Sequence, residues 1–96
     1  MERHVIIRSE TAGVFMGILL DHDPATMTVK IGYSRRLWRW AGAMTLSELA
    51  VNGTTKPEEC KFAVEVPQMT VAKVIEIIPA SQEAVASIKG VPVWRE

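Results

Sequence analysis

Five short segments of this chain are rich in β-branched and large apolar residues, and turn-forming residues separate most of them. The clearest is residues 26–31, in which Met27, Val29 and Ile31 alternate with polar residues, as in a strand with one buried face. We expect this strand to pair antiparallel with the segment before the proline-containing turn at residues 21–25. The other predicted strands are residues 4–8, 12–20, 61–66 and 71–78, with a short extended piece at residues 35–40.

Three features limit these strands. The sequence Gly32, Tyr33 and Ser34 interrupts the alternation after residue 31, and Pro67 is predicted to end the strand at residues 61–66. Residues 71–78 also fit helical spacing, but their β-branched content and the proline that follows favour a largely buried strand.

Two segments predict short helices. Thr45 and Glu48 have the spacing of a capping box, so a helix of about two turns is expected from residue 46 towards residue 51. Ser81 is the expected cap of a second helix, which Lys89 and Gly90 close. The sequence therefore predicts an α+β fold: an antiparallel curved sheet or small open β-barrel of about five or six strands, with two short helices at one side or end.

The length and the charge balance limit the classes of function. With 96 residues the chain forms a single domain, residues 1–96, of modest stability as an isolated monomer, and we expect a homo-oligomer. Lys and Arg balance Asp and Glu, so no nucleic-acid polymer and no membrane surface is expected as a partner. The absence of a signal-peptide pattern, of a long apolar run and of a second cysteine beside Cys60 predicts a soluble protein of a reducing, intracellular compartment.

The segment 35–40 carries the most distinctive chemistry, because it holds three arginines and two of the three tryptophans. Guanidinium groups pair with phosphate through two parallel hydrogen bonds, and indole rings stack on nucleobases. In an extended strand, successive side chains point to opposite faces, so one face of this segment can serve the core and the other a ligand. The candidate ligand-binding residues are Arg35, Arg36, Trp38, Arg39 and Trp40, with Tyr33 and Arg8 added as neighbours in the sheet. Packing of both tryptophans in the core is an equally weighted alternative.

Catalytic machinery is not evident in the sequence. The serines and Cys60 have no evident histidine partner, so we expect no enzyme activity and no cofactor. Three adjacent residues at 21–23 combine Asp and His, but neighbours on one turn cannot all converge on one ion, so no metal site is predicted. Cys60 is expected to be a small buried apolar residue.

The chain also resembles a family of small bacteriophage-encoded proteins of uncharacterised function. The resemblance covers nearly the whole chain, and its most specific element is the pattern Arg-Arg-x-Trp-x-Trp-x-Gly-Ala, which begins at Arg35. Members more often have Asn-Ala or Asp-Ala where this chain has residues 32–34. The other residues that carry the resemblance are Arg8, Ser9, residues 12–14, Gly17, Leu46, residues 48–50, Gly53, residues 75–79 and Trp94.

The resemblance implies a phage or prophage protein in the bacterial cytoplasm. By analogy of setting and size, it is similar to oligomeric phage sponges, which capture cyclic-nucleotide signals and silence host immunity without cleaving them. Our leading hypothesis is therefore non-enzymatic sequestration of a small anionic nucleotide. The alternative is a protein-interaction module that inhibits a host protein through an Arg/Trp surface patch, in which Trp94 joins Trp38 and Trp40.

Overall fold

The computed structural model describes residues 3–94, and this part of the chain forms one five-stranded sheet and two α-helices. Neighbouring strands are all antiparallel, in the order β4-β3-β2-β1-β5. The predicted α+β class with a curved antiparallel sheet is confirmed. The elements are β1 (His4–Ser9), β2 (Gly13–Asp23), β3 (Thr28–Arg39), α1 (Leu46–Asn52), a 3-10 turn (Pro57–Glu59), β4 (Lys61–Val71), β5 (Val74–Pro79) and α2 (Gln82–Lys89).

The sheet bends where β2 crosses β3. Met16 pairs with Arg35 and Ile18 pairs with Gly32, so Gly17 alone opposes two residues of β3, which is a β-bulge. A Cβ atom on Gly17 would lie 2.7 Å from the carbonyl oxygen of Gly32, so the two backbones approach too closely for any other residue type. Tyr33 follows Gly32 with a φ of 46°, in the left-handed region. The bulge therefore bends β2 and β3 without ending either strand.

The bend brings the two edges of the sheet together at one end. β4 and β5 are the opposite edge strands, yet only Ala72 and Lys73 separate them in the sequence. Three steps between Cα atoms span at most about 11 Å. Hydrogen bonds fix this corner: the N–H of Val74 donates to the carbonyl of Met27 (2.8 Å), and the N–H of Glu10 donates to the carbonyl of Lys73 (2.9 Å). The result is a strongly curved, unclosed sheet.

Curvature gives the sheet two apolar cores. Alternate residues of β1 point to opposite faces, so Val5 and Ile7 join one core while Ile6 joins the other. The first core contains Phe15 and aliphatic residues of β2, β3, β4 and β5. The second lies between the sheet and both helices and includes Leu37, Phe62 and Cys60, which is buried as predicted.

Both helices begin at the predicted caps. The hydroxyl of Thr45 accepts from the N–H of Glu48 (3.1 Å), and the hydroxyl of Ser81 accepts from the N–H of Ala84 (3.0 Å). The Ser81 hydroxyl also donates to the carbonyl of Val51 (2.5 Å), so the same side chain links α2 to the end of α1. None of the described helices is long and apolar enough to cross a bilayer.

Several strand boundaries were predicted wrongly. Residues 28–31 and 35–39 belong to a single strand, β3, because residues 32–34 form a bulge and do not end it. The predicted start at residues 26 and 27 lies instead in the preceding turn, where Met27 has a φ of 57°. Pro67 does not end β4, which continues to Val71. A proline lacks an N–H donor, but an edge strand needs donors on only one side. Residues 21–23 were predicted as part of a turn, and they form the end of β2 instead.

Candidate functional site

The Arg/Trp segment lies at the end of β3, where the predicted alternation holds for four residues. Arg35 and Leu37 are buried, whereas Arg36 and Trp38 are exposed. The pairing with β4 then shifts register twice, between residues 35 and 37 and between residues 37 and 39. After these irregularities Arg39 is exposed and the following tryptophan, Trp40, packs partly buried against the core beneath the helices. The alternation predicted for the whole segment is therefore wrong at its last two residues.

Arg35 belongs to the interior and not to the outer surface. Its side chain is only 5% exposed, and its guanidinium group donates from Nε to the carbonyl of Ala63 (2.8 Å) and from Nη1 to the carbonyl of Ile88 (2.7 Å). Burial lowers the pKa of Arg35 from its ordinary value, against a smaller opposite effect of the Glu65 carboxylate. Arg35 thus joins β4 to the end of α2 from the inner face, apart from the exposed Arg36 and Trp38.

Two further predicted site residues, Arg8 and Tyr33, also lie away from Arg36 and Trp38. Arg8 sits opposite Glu76 in the pairing of β1 with β5, and its Nε lies 3.1 Å from a Glu76 carboxylate oxygen. Tyr33 is exposed, but together with Arg35 it lines a cavity to which Arg36 and Trp38 do not contribute. The structure therefore divides the predicted set, and Arg36, Trp38, Arg39 and Trp40 remain together at one end of β3.

Trp38 is at the centre of an exposed aromatic and cationic group. Its side chain is 62% exposed, and its ring centroid lies 5.1 Å from that of Trp94 at an interplanar angle of 48°. The Nζ atom of Lys61 lies 5.4 Å from the Trp38 ring centroid and 4.9 Å from that of Trp94, within the range of a cation–π contact. We call Arg36, Trp38, Arg39, Lys61 and Trp94 the Trp38 surface.

The C-terminal tail and the start of β4 complete this surface. The N–H of Trp94 donates to the carbonyl of Phe62 (3.0 Å), and Val93 forms a parallel bridge with Phe62, so the tail runs beside β4. Lys61 stands opposite Arg39 in the pairing of β3 with β4. Neither Lys61 nor Trp94 was predicted as a nucleotide contact. The apolar character of residues 91–94 is the sequence signal that could have added Trp94 to the site. The position of Lys61 depends on the pairing register of β3 with β4, which the sequence does not specify.

Among residues 3–94, two concavities flank Trp38. The larger is a groove of about 360 Å³ between the turn that follows β1 and the end of β3. Ser9 fixes the turn that forms one wall of this groove. Its buried hydroxyl accepts from the N–H of Ala12 (3.1 Å) and donates to the carbonyl of Ala72 (2.7 Å). The smaller concavity, about 230 Å³, is lined by Trp38, Arg39 and Lys61. The residues that line the larger groove are Thr11, Ala12, Gly13, Val14, Arg36, Leu37, Trp38 and Trp40.

No carboxylate among residues 3–94 forms an ion pair with the cations of the Trp38 surface. Among residues 3–94, the ion pairs are Arg8 with Glu76 and Lys56 with Glu59, and neither involves Arg36, Arg39 or Lys61. Arg36 instead lies over the Phe15 ring, with 4.8 Å between its Cζ and the ring centroid. Of the residues that the structure describes, no acidic one lines either concavity. The arrangement can accept an anion beside a flat aromatic face.

The described residues contain no group of three His, Cys, Asp or Glu side chains placed to hold a metal ion.

A family model described as a domain of unknown function, DUF6948, matches residues 2–88, and the chain belongs to this family. No curated protein and no solved structure matches the chain. The match ends before Trp94, so the family model covers most of the Trp38 surface but not its tail residue.

Proposed function

We propose that the protein binds a small, planar anion of the nucleotide class at the Trp38 surface and sequesters it without cleaving it. The observation that carries this proposal is that three cations without carboxylate partners among the described residues surround an exposed indole, with a concavity on either side. Guanidinium groups pair with phosphate oxygens, and an indole stacks on any base. Arg36 and Arg39 would contact phosphate, and Trp38 would stack on the base.

The proposal extends to a phage-encoded sponge that removes a signal such as a cyclic nucleotide from host immune signalling in the bacterial cytoplasm. Ligand pockets usually have volumes of about 300–1,000 Å³, and the groove of about 360 Å³ is at the small end of that range. A homo-oligomer would cover a ligand that one subunit leaves partly open. The phage setting is supported by the resemblance carried by residues 35–43.

Isothermal titration calorimetry of the intact protein against a cyclic mononucleotide and a cyclic dinucleotide tests the proposal. Stacking on an aromatic side chain contributes about 1–3 kcal/mol per base, so Trp38→Ala should weaken binding by roughly 5- to 150-fold. Arg36→Ala and Arg39→Ala should each weaken it by about tenfold or more, because each removes a charge-assisted hydrogen bond.

A matched control is Lys30→Ala, which removes an exposed cation from the opposite end of the same strand. This variant should bind with unchanged affinity, and thermal unfolding of every variant should show that the fold is retained. Unchanged affinity in both Arg36→Ala and Arg39→Ala would refute the assignment.

A second function is favoured by one specific observation, the exposed contact between Trp38 and Trp94 with Lys61 against both rings. Tryptophan and arginine are the residues most enriched among energetic hot spots of protein interfaces. In this alternative, the Trp38 surface binds and inhibits a host protein. Purification from host cells should then yield one stoichiometric protein partner that Trp94→Ala releases, with no nucleotide bound.

A further inference from the structure

The two concavities beside Trp38 carry separate cations. Arg36 lines the larger groove, Arg39 and Lys61 line the smaller concavity, and Trp38 lines both. Arg36 and Arg39 are three residues apart on β3, so their Cα atoms lie at most about 11 Å from each other. The exposed indole therefore has one cation on the side of the larger groove and two on the side of the smaller concavity.

The smaller concavity holds two like charges side by side. Lys61 stands opposite Arg39 in the pairing of β3 with β4, and like charges in this position destabilise a sheet. Neither cation forms an ion pair with a carboxylate of the part of the chain that the structure describes. A phosphate monoester carries a charge of about −1.5 to −2 at pH 7, which is close to the summed charge of this pair. A phosphate group beside Arg39 and Lys61 would therefore relieve their repulsion.

The volumes indicate that one ligand occupies both concavities. Ligand pockets usually have volumes of about 300–1,000 Å³, and the smaller concavity, about 230 Å³, is below that range. It can hold one group of a nucleotide but not the whole molecule, whereas the groove of about 360 Å³ can hold a larger part. A ligand that reaches both must extend past Trp38 and place an anionic group on each side of it.

The chemistry of nucleotides limits which of them can do so. The two phosphates of a diphosphate share one oxygen atom, so they stay together on one side of the indole. Phosphates on the 3′ and 5′ carbons are separated by the ribose, so they can reach different sides while the base stacks on the indole between them.

We infer that the ligand of the Trp38 surface carries two phosphate groups separated by a ribose, one beside Arg36 and the other beside Arg39 and Lys61. This inference rests on the proposed function and narrows its ligand to nucleoside bisphosphates and dinucleotides. It also makes Lys61 a residue that determines specificity, because Lys61 lines the smaller concavity and not the larger groove.

Isothermal titration calorimetry of the intact protein with adenosine 3′,5′-bisphosphate and with adenosine 5′-diphosphate tests the inference. The two ligands have the same base and the same number of phosphates, so they differ in whether the ribose separates the phosphates. The bisphosphate should bind about tenfold more tightly or better, because it alone places a phosphate beside both groups of cations.

Lys61→Met should reduce this ratio of affinities severalfold, because it removes one cation of the smaller concavity while keeping an apolar chain against Trp38 and Trp94. Lys30→Ala, at the opposite end of β3, should leave the ratio unchanged. Both ligands are measured on the same preparation, so a partly unfolded variant weakens both titrations alike and does not alter the ratio.

Equal affinity for the two ligands, or an unchanged ratio in Lys61→Met, would overturn the inference. The proposed function survives that result if Trp38→Ala still weakens the binding of both nucleotides. If neither nucleotide binds, or if Trp38→Ala binds both as tightly as the unaltered protein, the proposed function is refuted and the inference with it.

Discussion

Arg35 and Arg36 are adjacent in sequence, and the structure predicts opposite consequences of replacing them. Arg35→Met removes the two hydrogen bonds to the carbonyls of Ala63 and Ile88 while keeping a long apolar side chain beside Phe62. Hydrogen bonds from a charged donor contribute about 1.5–3 kcal/mol each, and removal of the buried Nη2, which has no hydrogen-bond partner among residues 3–94, recovers about 1–3 kcal/mol. The carbonyl of Ile88 keeps the N–H of Val91 as a donor (3.2 Å), so it is not left unsatisfied. We expect the free energy of unfolding to fall by about 2–3 kcal/mol.

Urea denaturation measures this loss. A domain of this size has a slope of about 1–3 kcal/mol per molar urea, so the midpoint should fall by roughly 1–2 M. The control is Arg36→Met, which removes only a cation–π contact with Phe15 at an exposed position and should cost about 0.5–1 kcal/mol. Nucleotide affinity should show the reverse order, with the larger loss in Arg36→Met. If Arg35→Met is as stable as Arg36→Met, the structural role given to Arg35 is wrong.

Two further predictions concern the bend and the helix caps. Gly17→Ala should lower the free energy of unfolding by about 1–3 kcal/mol, because its Cβ would lie 2.7 Å from the Gly32 oxygen and 2.8 Å from Cγ1 of Ile31; thermal unfolding that is unchanged would show that the strands separate easily at this point. Ser81→Ala should cost about 1–2 kcal/mol and Thr45→Ala about 1 kcal/mol or less, because the Ser81 hydroxyl also bonds to Val51 while that of Thr45 makes only the capping bond to its own helix. Equal losses in urea denaturation would contradict this ranking.

Local signals in the sequence were sufficient for the elements whose cause is local. The caps at Thr45 and Ser81 depend on a side chain and an N–H three residues later, and both helices begin where they were predicted. The apolar and polar alternation likewise located residues 28–31 of β3, where Val29 and Ile31 are buried, because its period follows from the backbone itself. It failed at Met27, which is exposed in the turn before the strand. Pro67 was misread, because a proline is compatible with an edge strand, and the edge position of β4 is set by the order of the whole sheet.

The candidate site was predictable only in part, because some of its contacts join segments that are distant in the sequence. Strand periodicity separates Arg36 and Trp38 from Arg35 and Leu37, which is the division that the structure has. Periodicity does not indicate which face lies beneath the helices, and it gave no sign that Arg35 would bond to α2, 53 residues away in the sequence. Trp40 departs from the pattern because register shifts precede the end of β3. Contacts of this kind depend on tertiary structure.

The division of the arginines also explains how a short segment can serve two purposes. Arg35 holds β3, β4 and the end of α2 together from the inner face, so the backbone that carries Arg36 and Trp38 is fixed by contacts on its opposite side. A side chain on a fixed backbone loses less freedom when it binds a ligand, which favours affinity. Loosening the inner face should therefore weaken binding at the outer face, even though Arg35 does not contact that ligand. Arg35→Met should accordingly lower nucleotide affinity by a smaller factor than Arg36→Met. The loss of affinity in Arg35→Met should diminish at lower temperature, where the contacts between β3, β4 and α2 open less often.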